Sequence, residues 1–408
     1  MIRWIWAFAL MLALDVYVSQ AVKTLSRNAL WARWGYWTFS LIVVAVVFWA
    51  LWRTDPGHRH SEAMKWAAGL MILSVVPKLV VAAILLTEDL SRLAIGLYGL
   101  LDRSSGAGFW PERRTFISQI ALGAAALPFV SIAHGIVYGR WRFRVIRQEL
   151  WFPDLPEAFD GYRIAQISDV HSGSFDNARA VERGIDMLQD EQPDLLLFTG
   201  DLVNDTAEEM APWEALFGRL KARDGQFSVL GNHDYGDYAE WPSPEAKQRN
   251  LLDLFEVHQR IGFDLLRNEH RIIERNGDKL YLSGVENWGR PPFPQHGDLN
   301  AALHSIPEGG FTVLMSHDPS HFDEQVKQHP HRVHLTLSGH THGMQFGIEI
   351  PGVLRWSPVS LRYPKWAGLY AENGRNLYVN RGFGYLAFPG RVGIWPEITV
   401  FTLRRIKG

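Results

Sequence analysis

Four apolar stretches fill the first third of this 408-residue chain, at about Trp4–Ala21, Trp34–Trp52, Ala67–Thr87 and Phe116–Tyr138. Each is long enough to cross a lipid bilayer as a helix, which takes about 20 residues. Inside hydrocarbon every backbone amide needs an internal partner, so stretches like these have few options besides helices. A cleaved leader would account for the first stretch and leave three unexplained. Trp4, Trp34, Trp37, Trp52, Trp66 and Tyr138 flank them, and amphipathic rings favour the headgroup level. Residues 1–139 therefore read as a transmembrane region of about four helices. Leu93–Leu101 is short and apolar, suited to the interface or to an extension of the third span. Asp15 and Lys78 are ionisable residues within the spans. Such charges either pair or mark a functional position, and the expectation here is that they pair or face the bundle interior.

With an even number of spans both termini share a side. Arg140, Arg142, Arg144 and Arg147 follow the last span, with Arg3, Arg53, Arg59 and Lys65 on the same side. Lys23, Arg27, Arg33, Arg92, Arg103, Arg113 and Arg114 lie opposite. The tight post-span cluster places the remainder of the chain in the cytoplasm, at a bacterial inner membrane.

After a linker and domain entry at 140–160, residues 161–408 have the mixed composition of a globular domain, large enough for one substantial core. The net charge of -2 offers no basic excess for displacing counterions, so no nucleic-acid partner is expected. The absence of cysteine excludes disulfides, thiolate metal sites and thiol nucleophiles. Any metal must be held by His, Asp, Glu or Asn.

Short apolar runs alternate with helical patterns from Tyr162 on. Arg163–Ser168 runs into Asp169-Val170-His171, and Leu195–Thr199 into Gly200-Asp201. Phe227–Leu230 runs into Gly231-Asn232-His233-Asp234, Phe311–Met315 into Ser316-His317-Asp318, and Leu335–Leu337 into Ser338-Gly339-His340-Thr341-His342. Helices are expected at Asn177–Glu191 and Ala207–Lys221, with further strands at Leu377–Asn380 and Glu397–Leu403. Polar residues gathered at strand C-termini occupy the usual place for a site in an α/β sheet. A lone Asp-x-His carries little weight, but five clusters at five strand ends are not a chance pattern. Imidazole with carboxylate suits divalent Mn, Fe or Zn, whereas all-oxygen shells suit Mg or Ca. Two cations held close need a shared carboxylate to offset their repulsion, and together they can polarise a phosphoryl group.

Taken together, D-x-H (Asp169, His171), G-D (Gly200, Asp201), G-N-H-D (Gly231–Asp234), S-H (Ser316, His317) and G-H-T-H (Gly339–His342) resemble the calcineurin-like metallophosphoesterase superfamily. The resemblance implies a four-layer αββα sandwich behind the four-helix transmembrane region, with a site above the sheets for two divalent metal ions. It implies that Asp169, His171 and His342 hold one metal and that Asn232, His317 and His340 hold the other, bridged by Asp201. It further implies that His233 protonates the leaving oxygen or stabilises the transition state, with Asp234 orienting it. Ser168-Asp169-Val170-His171, Asn380–Gly384 and Trp395-Pro396-Glu397-Ile398 are similar to a membrane-associated bacterial branch that includes phosphodiesterases and UDP-2,3-diacylglucosamine pyrophosphatases.

The expected function is hydrolysis of a phosphodiester or pyrophosphate in a membrane-associated, lipid-linked substrate. Trp288, Phe293, Phe346, Phe383, Tyr385 and Phe388 are candidate apolar borders of the site, and Arg381 and Arg391 candidate contacts to a second phosphate. The alternatives are a tethered protein or nucleotide phosphatase, or a membrane sensor with a hydrolase output. His270, His296, His331 and His334 receive no role, and His321 is expected on a surface helix.

Overall fold

The computed structural model describes residues 2–26, 29–54, 61–101, 111–350 and 352–406. The chain divides into two compact units, one holding the four long helices and the other running from Tyr138 onward.

The helices are α1 (Ile2–Ser26), α2 (Leu30–Arg53), α3 (Glu62–Leu101) and α4 (Pro111–Val137). All four are long and apolar enough to span a bilayer, and only 17–33% of each apolar window is buried. Most side chains thus point outward, the arrangement expected where the solvent is lipid. Small residues let the helices approach: Ala21, Ala121 and Ala125 pack with Val18, Val81 and Leu85, and Ala50 and Ala67 with Val43 and Val47. Leu93–Leu101 continues α3. Lys78 forms an ion pair with Asp15, as the sequence suggested. Tyr36 and Ser40 donate to the same carboxylate at 2.9 and 2.8 Å, and Lys78 reaches Ser74 at 2.7 Å. Arg27, Arg59 and Arg103, counted for orientation, lie outside the described residues, and nothing is described of the side chains of Arg3 and Trp4.

The second unit contains two six-stranded sheets. Its strands are β1 (Arg144–Phe152), β2 (Arg163–Ile167), β3 (Leu195–Phe198), β4 (Gln226–Ser228), β5 (Asp264–Leu265), β6 (Glu269–Arg275), β7 (Asp278–Gly284), β8 (Thr312–Met315) and β9 (Leu335–Ser338). They continue with β10 (Ile348–Ile350), β11 (Leu354–Trp356), β12 (Gly368–Glu372), β13 (Arg375–Val379) and β14 (Glu397–Arg405). One sheet has the order β1-β14-β2-β3-β4-β5 and the other β12-β13-β9-β8-β7-β6; β10 and β11 form a separate ribbon. Neighbours from β2 to β5 are parallel, as are β7, β8, β9 and β13.

Alternation along the strands builds the layers. Leu195 and Leu197 of β3 join Val313 and Met315 of β8 in a core between the sheets. Leu196 and Phe198 turn the other way, onto Val181, Ile185 and Leu188 of α5 (Ala178–Asp190) and Leu254 and Val257 of a later helix at Pro244–Arg260. On the far side Leu314, Leu377 and Val379 pack against Leu299, Ala302, Leu303 and Phe322, which lie in the short helices Leu299–Leu303 and Ser320–Glu324. The order is therefore helix, sheet, sheet, helix.

Capping sets the helix starts. The Asn177 side chain accepts from Ala180 N at the head of α5, and Ser243 accepts from Ala246 N ahead of Pro244. The expected continuous helix at Ala207–Lys221 is instead a 3-10 turn at Ala207–Met210 and one α turn, α6 (Glu214–Phe217). Pro212 between them has no N–H to continue the ladder. The Pro244–Arg260 helix becomes α7; those at Leu299–Leu303 and Ser320–Glu324 become α8 and α9.

Candidate metal centre

Five loops meet at the C-terminal ends of β2, β3, β4, β8 and β9. The β2 loop carries Asp169 and His171, the β3 loop Asp201, and the β4 loop Asn232, His233 and Asp234; the β8 loop adds His317 and the β9 loop His340 and His342. Asp169, His171 and His342 form one group able to hold a metal, and Asp201, His317 and His340 a second.

Within the first group, His171 Nε2 and His342 Nε2 face each other at 3.0 Å, with Asp169 Oδ1 3.2 Å from His342 Nε2. The Asp201 Oδ2 atom lies 3.1 Å from His317 Nε2 and 3.5 Å from His171 Nε2. One carboxylate oxygen therefore faces both groups. Asn232 adds a neutral donor: its amide donates to Tyr238 Oη at 2.9 Å, which turns Oδ1 toward His340 Nδ1, 2.8 Å away. His340 Nε2 meets Tyr363 Oη at 2.9 Å, and that hydroxyl donates to Asp318 at 3.2 Å. His317 Nδ1 donates to Thr199 O at 2.7 Å. These contacts fix which ring nitrogen points into the site.

The local backbone is bent to achieve this. Asp169, His171, Asp201, His340 and His342 all have φ between 48 and 71°, a left-handed region that Asp and His tolerate better than most residues but at a cost. The glycines of two motifs answer to space: a Cβ on Gly231 would lie 2.2 Å from Asp201 Oδ1, and one on Gly339 2.2 Å from Asp169 Oδ2.

Charge at the site favours a cation. Asp169 and Asp201 are buried, and an uncompensated buried carboxylate is costly. Burial opposes a charge on His317, yet Asp201 and Asp169 push it up to about 10. His171 is driven well below its ordinary value, chiefly by burial, so its lone pair stays available. His171 Nε2 and Asp169 Oδ1 lie 3.0 and 3.2 Å from His342 Nε2, and the three ligand atoms all fall within 4.8 Å of one another, close enough to share one ion. The residues fit divalent metals.

His233 lies beside His171, ring centroids 4.9 Å apart, and its Nδ1 donates to Asn204 O at 2.8 Å. That bond leaves Nε2 as the exchangeable position of the ring. Asp234 is placed differently from the expectation. Its carboxylate accepts backbone N–H groups from Asp201 (2.9 Å), Gly231 (2.8 Å) and Leu202 (2.8 Å). It ties two site loops together, and the Asn204 carbonyl holds the His233 ring. Burial and the Asp201 charge push the Asp234 carboxyl up to about 7.

Arg381 and Arg391 are buried, not poised for a second phosphate. Arg381 pairs with Glu397 and Glu349. Arg391 donates to Gly382 O (3.1 Å) and Gly384 O (2.6 Å), with its Nη2 3.3 Å from His342 Nδ1. They lock the Asn380–Gly384 segment behind the site, where Phe383 N and Gly384 N donate to Ser168 O and Asp169 O. Phe383, Tyr385 and Phe388 are likewise buried, while Trp288, Phe293 and Phe346 are half-buried. His321 is buried too, with Nδ1 2.8 Å from Ser316 Oγ and its ring stacked on Trp288. Burial and these partners replace the surface position expected for it. Asn204 and Tyr363 were not among the expected site residues, and Asp318, at the end of the fourth strand run, carried no expected role. Asn204 follows the G-D motif by three residues and was open to notice; Tyr363 has no local signal.

Residues 2–140 match the family described as "Probable Calcineurin-like phosphoesterase, transmembrane domain", and residues 162–344 the one described as "Calcineurin-like phosphoesterase". The chain is 29% identical over 302 residues to an uncharacterized metallophosphoesterase, YkuE, of Bacillus subtilis, covering 72% of this chain and 98% of that protein. It is 28% identical over 316 residues to a transmembrane protein with metallophosphoesterase domain of Danio rerio, covering 75% and 67%. Among solved structures, similarity to the NAD nucleotidase of Haemophilus influenzae covers 55% of this chain and 45% of that one, at 17% identity and a TM-score of 0.36.

Proposed function

The chain is a calcineurin-like metallophosphoesterase with a four-helix transmembrane domain, and from that premise we propose that it cleaves a phosphodiester or pyrophosphate in a membrane-associated, lipid-linked substrate. The observation that carries the reading is the Asp201 oxygen facing both metal-capable groups. In this reading Asp169, His171 and His342 hold one divalent ion, and Asn232, His317 and His340 the other, with Asp201 shared. Mn, Fe or Zn fits these ligands. Bound there, the ions supply Lewis-acid polarisation of the phosphoryl oxygens and acidify a water nucleophile.

The residues do the rest. His233 Nε2 protonates the leaving oxygen or stabilises its charge while Asn204 O holds the ring. Tyr363 and Asp318 keep His340 turned so that Nδ1 faces the site. The four spans support a substrate that is itself held in the bilayer. The arginines after the last span support a cytoplasmic face of a bacterial inner membrane, with the anchor at 1–139, a linker at 140–160 and the hydrolase at 161–408.

The test is Asp201→Asn in the full chain. Metal content measured by mass spectrometry drops at both positions, and hydrolysis of bis-p-nitrophenyl phosphate falls by orders of magnitude. Retained metal and activity would overturn the assignment. Comparing a lipid-linked diphosphate with the soluble diester tests the substrate; equal efficiency on both, with and without detergent, counts against a lipid. A C-terminal fluorescent-protein or alkaline-phosphatase fusion reads the membrane side.

A further inference from the structure

The ribbon β10–β11 is turned inside out. It pairs Ile348 with Trp356, Glu349 with Arg355 and Ile350 with Leu354. Facing residues of an antiparallel ribbon point the same way and successive residues alternate. Ile348, Ile350, Leu354 and Trp356 therefore share one face, and Glu349 and Arg355 the other.

The polar face is the one docked on the domain. Glu349 pairs with buried Arg381, and Arg355 donates to Ala367 O at 2.6 Å and Tyr370 Oη at 3.1 Å. The apolar face is left 44–50% exposed, and Val353 in the connecting turn is 80% exposed. An antiparallel ribbon on a water-soluble domain normally does the reverse, burying its apolar face and hydrating the polar one. A contiguous exposed apolar surface of this kind marks a contact with another apolar phase.

We propose that this face is a bilayer contact, with Ile348, Ile350, Val353, Leu354 and Trp356 seated in the headgroup–acyl boundary of a phospholipid membrane. The occupant follows from the rest of the chain. Four membrane-spanning helices precede the domain, and six residues separate the last of them from β1, so a bilayer is always part of this protein's surroundings. Trp356 is the residue type that favours the interfacial level, and aliphatic neighbours on one face suit shallow insertion.

The ribbon also shares its base with the metal centre. Ser357 Oγ donates to Gly343 O at 2.7 Å, and Gly347 N donates to Val392 O at 2.9 Å. The turn His342–Gln345, which begins with a proposed ligand, runs directly into β10. The ribbon thus joins the membrane surface to the rim of the site whichever phosphoester is cut.

The chain contains no cysteine, so Val353→Cys accepts an environment-sensitive dye without background. The full-length labelled protein is reconstituted in phosphatidylcholine–phosphatidylglycerol vesicles, with Glu274→Cys on exposed β6 as the control. Blue-shifted emission at 353, and loss of most of it when lipids with a shallow nitroxide are added, is expected; the control shows neither. Adding Ile350→Ser and Leu354→Ser lowers the quenching at 353 while metal content stays unchanged. Emission and quenching at 353 equal to the control would overturn the proposal. Disulfide-linked dimers of unlabelled Val353→Cys in place of quenching would assign the face to a second copy of the chain and overturn it equally.

Discussion

Asp234→Asn separates two roles for one carboxylate. In the structure, Oδ2 accepts from Asp201 N and Gly231 N, and Oδ1 from Leu202 N. An amide keeps one acceptor and replaces the other with a donor. In its better orientation it still serves Asp201 and Gly231, but it presents an NH2 to the buried Leu202 N–H. Val203 N, 3.4 Å from the same oxygen, loses its acceptor as well; orphaning the shorter Leu202 bond costs about 1–3 kcal/mol. For a domain of this size that is a drop of about 3–10 °C in unfolding temperature. Because the freed amides belong to the loop carrying Asp201, metal occupancy falls as well. The assay is thermal unfolding of the full chain in detergent, metal-stripped and metal-loaded, with metal content and diester hydrolysis measured on the same samples. Activity lost at unchanged unfolding temperature and full metal occupancy would refute the clamp and return Asp234 to orienting His233.

His233→Ala keeps its metal and slows hydrolysis by roughly 10²–10⁴-fold if the ring acts as a general acid; metal analysis beside turnover checks this. Lys78→Ala leaves Asp15 buried without its cation, and breaking such a pair costs about 3–5 kcal/mol. The detergent unfolding temperature falls, and Asp15→Asn added to Lys78→Ala restores part of it. A pH effect is expected at His258, whose ring nitrogens are buried without hydrogen-bond partners among the described residues and whose value burial pushes down to about 3. Its folded value lies below its unfolded one, so its contribution is present above about pH 6.5 and is lost as pH falls toward 3. The slope is about 1.4 kcal/mol per pH unit, and His258→Leu should remove one proton's worth of it in unfolding measured between pH 6.5 and 5.

Legibility differed by the range of the interactions involved. The four spans follow from composition over about 20 residues at a time, and Pro77 within α3 did not disturb that reading. The strand-end motifs were equally local, since a short apolar run and the polar turn after it are contiguous. The helix expected at Ala207–Lys221 breaks at Pro212, which supplies no N–H to the ladder. The ribbon β10–β11 escaped notice because its apolar face looks like ordinary strand alternation until its outward direction is known.

The sequence alone therefore determined the residue types, their order and the strand each follows, together with the apolar length that commits the first third of the chain to a membrane. Tertiary structure decided which oxygen of Asp201 looks at both groups, that Asp234 binds backbone, and that Arg381 and Arg391 are interior. It also decided which way the ribbon faces. These are relations between segments that are not contiguous in sequence, brought together by the folding of two sheets, and no local pattern encodes a direction in space.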